Sequence, residues 1–222
     1  MIKDAGEDMD SLEKIFGGVI AGWLLAQLAD IWKRRRERQA DAAYLGATVL
    51  IQLERLMHGC ASVVGDDGTA YGRPAGRTDE GEEFYVAQTK IPELTWDGIK
   101  VEWKSIDSIL MYTILSIPLE LDEAKDYLQG VSEYDDPPYD RYIAERQLRF
   151  AELGVMVADL AKQLRLTSGV PSRPAKEWNP ESYMRERLRE LRDLEEKLTT
   201  ERLKSLPDPP ANEAPVIASP VA

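Results

Sequence analysis

A single cysteine, Cys60, in 222 residues excludes an intrachain disulfide and with it a secreted disulfide scaffold. A single histidine, His58, makes a histidine-rich metal site or a Ser-His-Asp triad hard to assemble without it. Basic residues are scarce beside acidic ones, 28 against 40, and the net charge of −12 argues against general nucleic-acid binding. No GxxxxGK(S/T), GxGxxG or GxSxG occurs, so the common nucleotide-binding and hydrolase signatures are missing. What is present is 43% apolar and 31% charged, which rules out wholesale disorder. The length suits one ordinary domain, or a small domain plus an anchor.

The anchor is written in the first forty residues. A short, acidic stretch, 1–14, precedes Ile15–Trp32, IFGGVIAGWLLAQLADIW, whose strongly polar members are Gln27 and Asp30. As a helix this span is about 27 Å long, close to the roughly 30 Å hydrocarbon core of a bilayer. Eight of its residues are Leu, Ile, Val or Phe, contributing on the order of −2 to −5 kcal/mol towards insertion. Asp30 lies two residues from the end, where headgroups begin. Trp32 fits the interfacial aromatic belt, and Lys33, Arg34, Arg35, Arg36 and Arg38 fit the cytoplasmic headgroup layer, where they also hold anionic lipid. The charge order, acidic before and basic after, predicts an outside N-terminus and residues 33–222 in the cytoplasm, against a bacterial inner membrane. Gly18 and Gly22 form a GxxxG that Ala26 extends by a turn, a candidate face for self-association of the span.

No breaker interrupts Ile15–Val64, so one helix should leave the membrane and continue, through the basic cluster and the apolar positions Gly46, Leu50, Leu53 and Met57, to residue 64. A loop-rich segment, 65–104, follows: GDDGTAYGRPAGRTDEGEE has five glycines and a proline, and Ile91–Val101 reads as an irregular, partly apolar cover or a short strand. Helices are expected over Ser105–Ser116, stopped by Pro118, over Leu119–Tyr134, and over Tyr139–Thr167. In the last of these, Phe150, Leu153, Val157, Leu160 and Leu164 step by three and four. Gly169 ends it, and Asn179–Pro180 starts a final helix to about Leu206 with the stripe Met184, Leu188, Leu191, Leu194, Leu198. Residues 207–222, with five prolines over Pro207–Ala222, are expected to be disordered. The fold class is therefore all-α: a single-pass transmembrane helix continuing into a cytoplasmic, bundle-like domain over 105–206.

Chemistry is sparse. His58 and Cys60, two apart, fall on different helix faces and read as core fillers. Asp79, Glu80, Glu82 and Glu83 lack calcium-loop spacing and read as a solvated loop. Glu145 and Glu152 flank Arg146 and Arg149 and read as intrahelical ion pairs. We expect no catalytic, metal or cofactor residue.

The motifs WDGIKVEW (Trp96–Trp103), WKSIDSILMYTILSIP (Trp103–Pro118), PPYDRYIAERQLRFAELG (Pro137–Gly154) and WNP (Trp178–Pro180) together resemble a group of uncharacterised bacterial proteins with an N-terminal apolar segment and a helical remainder. The resemblance implies a bacterial membrane location and a helical fold, and no functional residues. The function expected is a membrane-anchored cytoplasmic interaction or scaffold protein, with the lipid bilayer and a protein as partners, and a possible homo-oligomer through the span. Its rivals are a toxin- or phage-related membrane effector acting through clustered spans, and a soluble enzyme whose first helix is buried.

Overall fold

The structure is a computed structural model that describes residues 5–172, 174 and 177–205; within α1 and α5, side chains before Trp23 and at Leu24, Ala26, Arg202, Leu203 and Ser205 lie outside that description. The tail expected to be disordered, 207–222, lies outside it too. The described residues form five α-helices: α1 (Ala5–Val64), α2 (Ser108–Leu115), α3 (Ile117–Glu133), α4 (Asp140–Ser168) and α5 (Pro180–Ser205). All-α holds. The unbroken first helix holds as well, at about 90 Å for its 60 residues.

Membrane crossing stands differently. Among the described residues no helix is long and apolar enough to cross a membrane. The expected span, Ile15–Trp32, falls largely on residues whose side chains lie outside the description, as do Gly18, Gly22 and Ala26. The helix through this region is observed; its crossing of a bilayer is not.

Burial on α1 begins at Ala42 and continues through Leu45, Val49, Leu53, Leu56, Cys60 and Val63, a seam stepping by three and four. Of the expected apolar positions, Gly46, Leu50 and Leu53 are buried and Met57 is half-buried. The seam packs antiparallel on α4, as the pairs Glu54–Arg165 and Asp66–Arg146 show. Phe150, Leu153, Val157, Leu160 and Leu164 of α4 are all buried, as their spacing predicted. α5 returns antiparallel to α4, tied by Lys162–Glu181 at 2.5 Å and Glu152–Arg192 at 2.8 Å. Two glycines set the closeness of these crossings. A Cβ on Gly154 would collide with Met184 of α5 and meet Cys60 of α1, and one on Gly46 would collide with Ser168 at the end of α4.

The loop region decides between the two readings of Ile91–Val101, and the irregular cover holds. Ile91–Val101 contains no strand; Ile91, Leu94, Trp96 and Val101 instead lie partly buried on the core, with Trp96 edge-on to Trp103 at 5.8 Å. The strands present are two residues each, β1 (Gly76–Arg77) and β2 (Glu83–Phe84), paired antiparallel inside the glycine-rich loop. Pro118 does not stop a helix. It sits in the first turn of α3, where a missing N–H costs nothing, and α2 ends at Leu115, with Ser116 between the two helices. Asp107 starts α2, its Oδ1 accepting from the Ile109 and Leu110 amides. The left-handed Gly169 (φ 69°) ends α4, and Asn179 caps α5 by accepting from Glu181 N at 3.0 Å.

Candidate functional site

The buried charge of the bundle sits where α1 ends. Asp66 Oδ2 accepts from Arg146 Nη1 at 2.9 Å, from the Gln88 and Thr89 amides at 2.8 and 2.7 Å, and from Thr89 Oγ1 at 2.8 Å. Its Oδ1 accepts from the Gly68 amide at 3.0 Å. Arg146 Nη2 donates to Thr89 O at 2.6 Å, and Gln147 Nε2 donates to Asp66 O at 2.9 Å. The two charged side chains are 1% and 2% exposed. Burial alone would raise the Asp66 carboxyl, but the bonds from Thr89, Gly68 and Arg146 together hold it below the ordinary aspartate range. Buried behind these five donors, the carboxylate is closed to a substrate. It is a clasp, closing the segment Gly65–Thr89 onto α4.

Sequence reasoning missed this clasp by assigning Arg146 to an intrahelical pair; its partner lies 80 positions away. The signal that could have found it is register, since Ile143, Arg146, Gln147 and Phe150 share the buried face of α4. Arg149 and Glu152 do form the expected (i, i+3) pair, at 3.4 Å, with Arg149 lying 4.3 Å from the centre of the Tyr127 ring. His58 is not a core filler. It is exposed and stacks on Trp178 at 5.5 Å, because two residues turn a helix by about 200° and so oppose it to the buried Cys60. Burial pushes the Cys60 thiol up to about 12, which makes it inert. In the acidic loop Glu83 pairs with Arg77 at 2.7 Å, and no group of three possible ligands is gathered among the described residues.

Two surfaces remain. One is a groove of about 590 Å³ between the start of α4 and the end of α5, lined by Leu148, Leu191, Leu194 and Leu198, with Leu194 and Leu198 about half exposed. The other is the part of α1 that precedes the bundle. Every described residue there before Ala42 is exposed, including Trp23, Leu25, Leu28, Ile31 and Trp32 at 48–73%. Lys33, Arg34, Arg35, Arg36 and Arg38 follow directly, also exposed. Set against family models, curated proteins and solved structures, the chain matches none, so its function is read from these residues.

Proposed function

We propose that the protein is a single-pass, membrane-anchored interaction or scaffold protein, with residues 1–14 outside and the helical bundle on the cytoplasmic face of a bacterial inner membrane. The observation that carries this reading is the apolar exposure before Ala42. At about 100° per residue, Trp23, Leu25, Leu28, Ile31 and Trp32 are distributed over more than half the circumference of α1, wider than a stripe that one packed neighbour would cover. Lipid covers such a surface from all sides, and Ile15–Ile20 of the same helix are apolar apart from the glycine pair. The basic residues after Trp32 supply the cytoplasmic side of the topology signal. A scaffold role, in place of an enzymatic one, is supported by the burial of the Asp66–Arg146 pair away from the surface and by the half-exposed leucines of α5.

The full-length chain is expected to pellet with membranes and to resist carbonate and high-salt washing, whereas a chain beginning at Gln39 stays in the supernatant with a helical circular dichroism spectrum. Release of the full-length chain by salt alone would reduce the anchor to a peripheral contact. Orientation gives a second test. Changing Lys33, Arg34, Arg35, Arg36 and Arg38 to glutamine should send a sizeable fraction of chains across in the opposite sense, read by a reporter fused at the C-terminus. A reporter that stays wholly cytoplasmic would show that these charges do not set topology.

A further inference from the structure

Five cations left unpaired on a chain with excess acid call for a partner outside the chain. Among the described residues, Lys33, Arg34, Arg35, Arg36 and Arg38 make no ion pair, although Asp30 and Glu37 lie within a turn of them on the same helix. Four arginines of α4 and α5 differ: Arg149, Arg185, Arg187 and Arg192 each hold a carboxylate. Chain geometry then narrows the partner. Successive residues turn by about 100°, so the five side chains leave α1 in all directions and form a collar, with no face of its own. A folded protein or a nucleic-acid duplex touches one side of a helix and would leave the far cations in water. A layer of anions that the helix passes through meets all five together. Trp32, 73% exposed and next to the collar, adds an indole whose ring suits the boundary between such a layer and hydrocarbon.

We infer that this collar binds the phosphodiester headgroups of anionic phospholipids and selects them from the surrounding bilayer; the inference rests on the membrane-anchored reading above and names the lipid class. The bundle sharpens it. Residues 42–205 carry 30 acidic against 21 basic side chains, so an anionic surface repels the domain while attracting the collar. Only Gln39–Asp41 separate the two, about one helical turn, which is shorter than the roughly 8 Å screening length at physiological salt. Attraction below and repulsion above that turn favour α1 standing upright on the membrane over lying along it.

The test uses the full-length protein in nanodiscs of phosphatidylcholine and phosphatidylglycerol in equal amounts, released into mild detergent, with retained lipids counted by native mass spectrometry. Several engaged cations predict at least a tenfold excess of retained phosphatidylglycerol. Glutamine at all five positions should abolish the excess, and Arg→Lys at 34, 35, 36 and 38 should preserve most of it, since the attraction is to charge. Equal retention of both lipids by the unmodified protein overturns the inference. So does loss of the phosphatidylglycerol excess on adding millimolar inorganic phosphate, which would mark the collar as a site for a small free anion. A chain that fails to enter the discs but gathers phosphatidylglycerol vesicles in a collar-dependent way would remove the anchor and keep the lipid selectivity.

Discussion

Arg146→Met is expected to lower the stability of the bundle by about 3–5 kcal/mol, a large share of the roughly 5–15 kcal/mol that a domain of this size has. The reason is what the substitution leaves behind. Asp66 stays buried as a charge, and Thr89 O loses its 2.6 Å bond from Nη2. Asp66→Asn should cost less, because an amide oxygen still accepts from the Gly68, Gln88 or Thr89 amides. Asp66→Ala should cost more than Asp66→Asn, since all of those donors are then orphaned. Urea unfolding of the chain beginning at Gln39 gives the ranking, and a loss below about 1 kcal/mol for Arg146→Met would show that water reaches the pair. The acid limb is a separate check. Asp66 titrates lower folded than unfolded, so its contribution is complete above the ordinary aspartate value of about 3.9 and is lost as pH falls below that and through the depressed folded value. Stability of Asp66→Asn should therefore fall less steeply in that window than stability of the native chain.

Phe150→Ala should have a comparable effect, about 3–5 kcal/mol, from lost transfer energy and from the cavity left behind. Phe150 is wholly buried in the middle of α4, among core residues contributed by α1, α3 and α5. Collapse of that cavity is hindered one turn along, because at Gly154 the side chains of Met184 and Cys60 already lie against the α4 backbone. Glu152→Ala, two positions along the same helix, removes half-exposed pairs with Arg149 and Arg192 and should cost about 1 kcal/mol or less. Thermal melts compare the two directly. Small and equal shifts would mean that α4 is not the centre of the packing.

Local signals in the chain were read well where the physics is local. The stripe Phe150–Leu164, the glycine after Ser168 and the Asn179–Pro180 start each depend on a few neighbouring residues, and each appears in the structure at the expected place. Pro118 was misread because one residue serves both to end a helix and to begin one, and Ser116 separates α2 from α3 by a single position. The β1–β2 hairpin was invisible because two-residue strands carry no alternation. Arg146 was legible as a basic residue inside an apolar face, but its partner was not, since nothing in the residues around position 146 points to position 66. The stripe of α5 shows the same limit from the other side. Its members look alike in sequence, yet Met184, Leu188 and Leu191 are buried while Leu194 and Leu198 are not, because α1 ends at Val64 and offers them no third helix.

The continuity of α1 makes the number of residues between Trp32 and Ala42 a phase as well as a length. With no break in the helix, adding one residue beside Gln39 would swing the entire bundle by about 100° around the helix axis and lift it by about 1.5 Å. Four residues would turn it past a full revolution by about 40°, and seven would bring it back to within about 20° of its original azimuth, one step of about 10.5 Å higher. A face such as the α4–α5 groove therefore has a compass bearing relative to whatever grips the first half of the helix, and twisting or sliding that grip would be delivered to the groove undiminished.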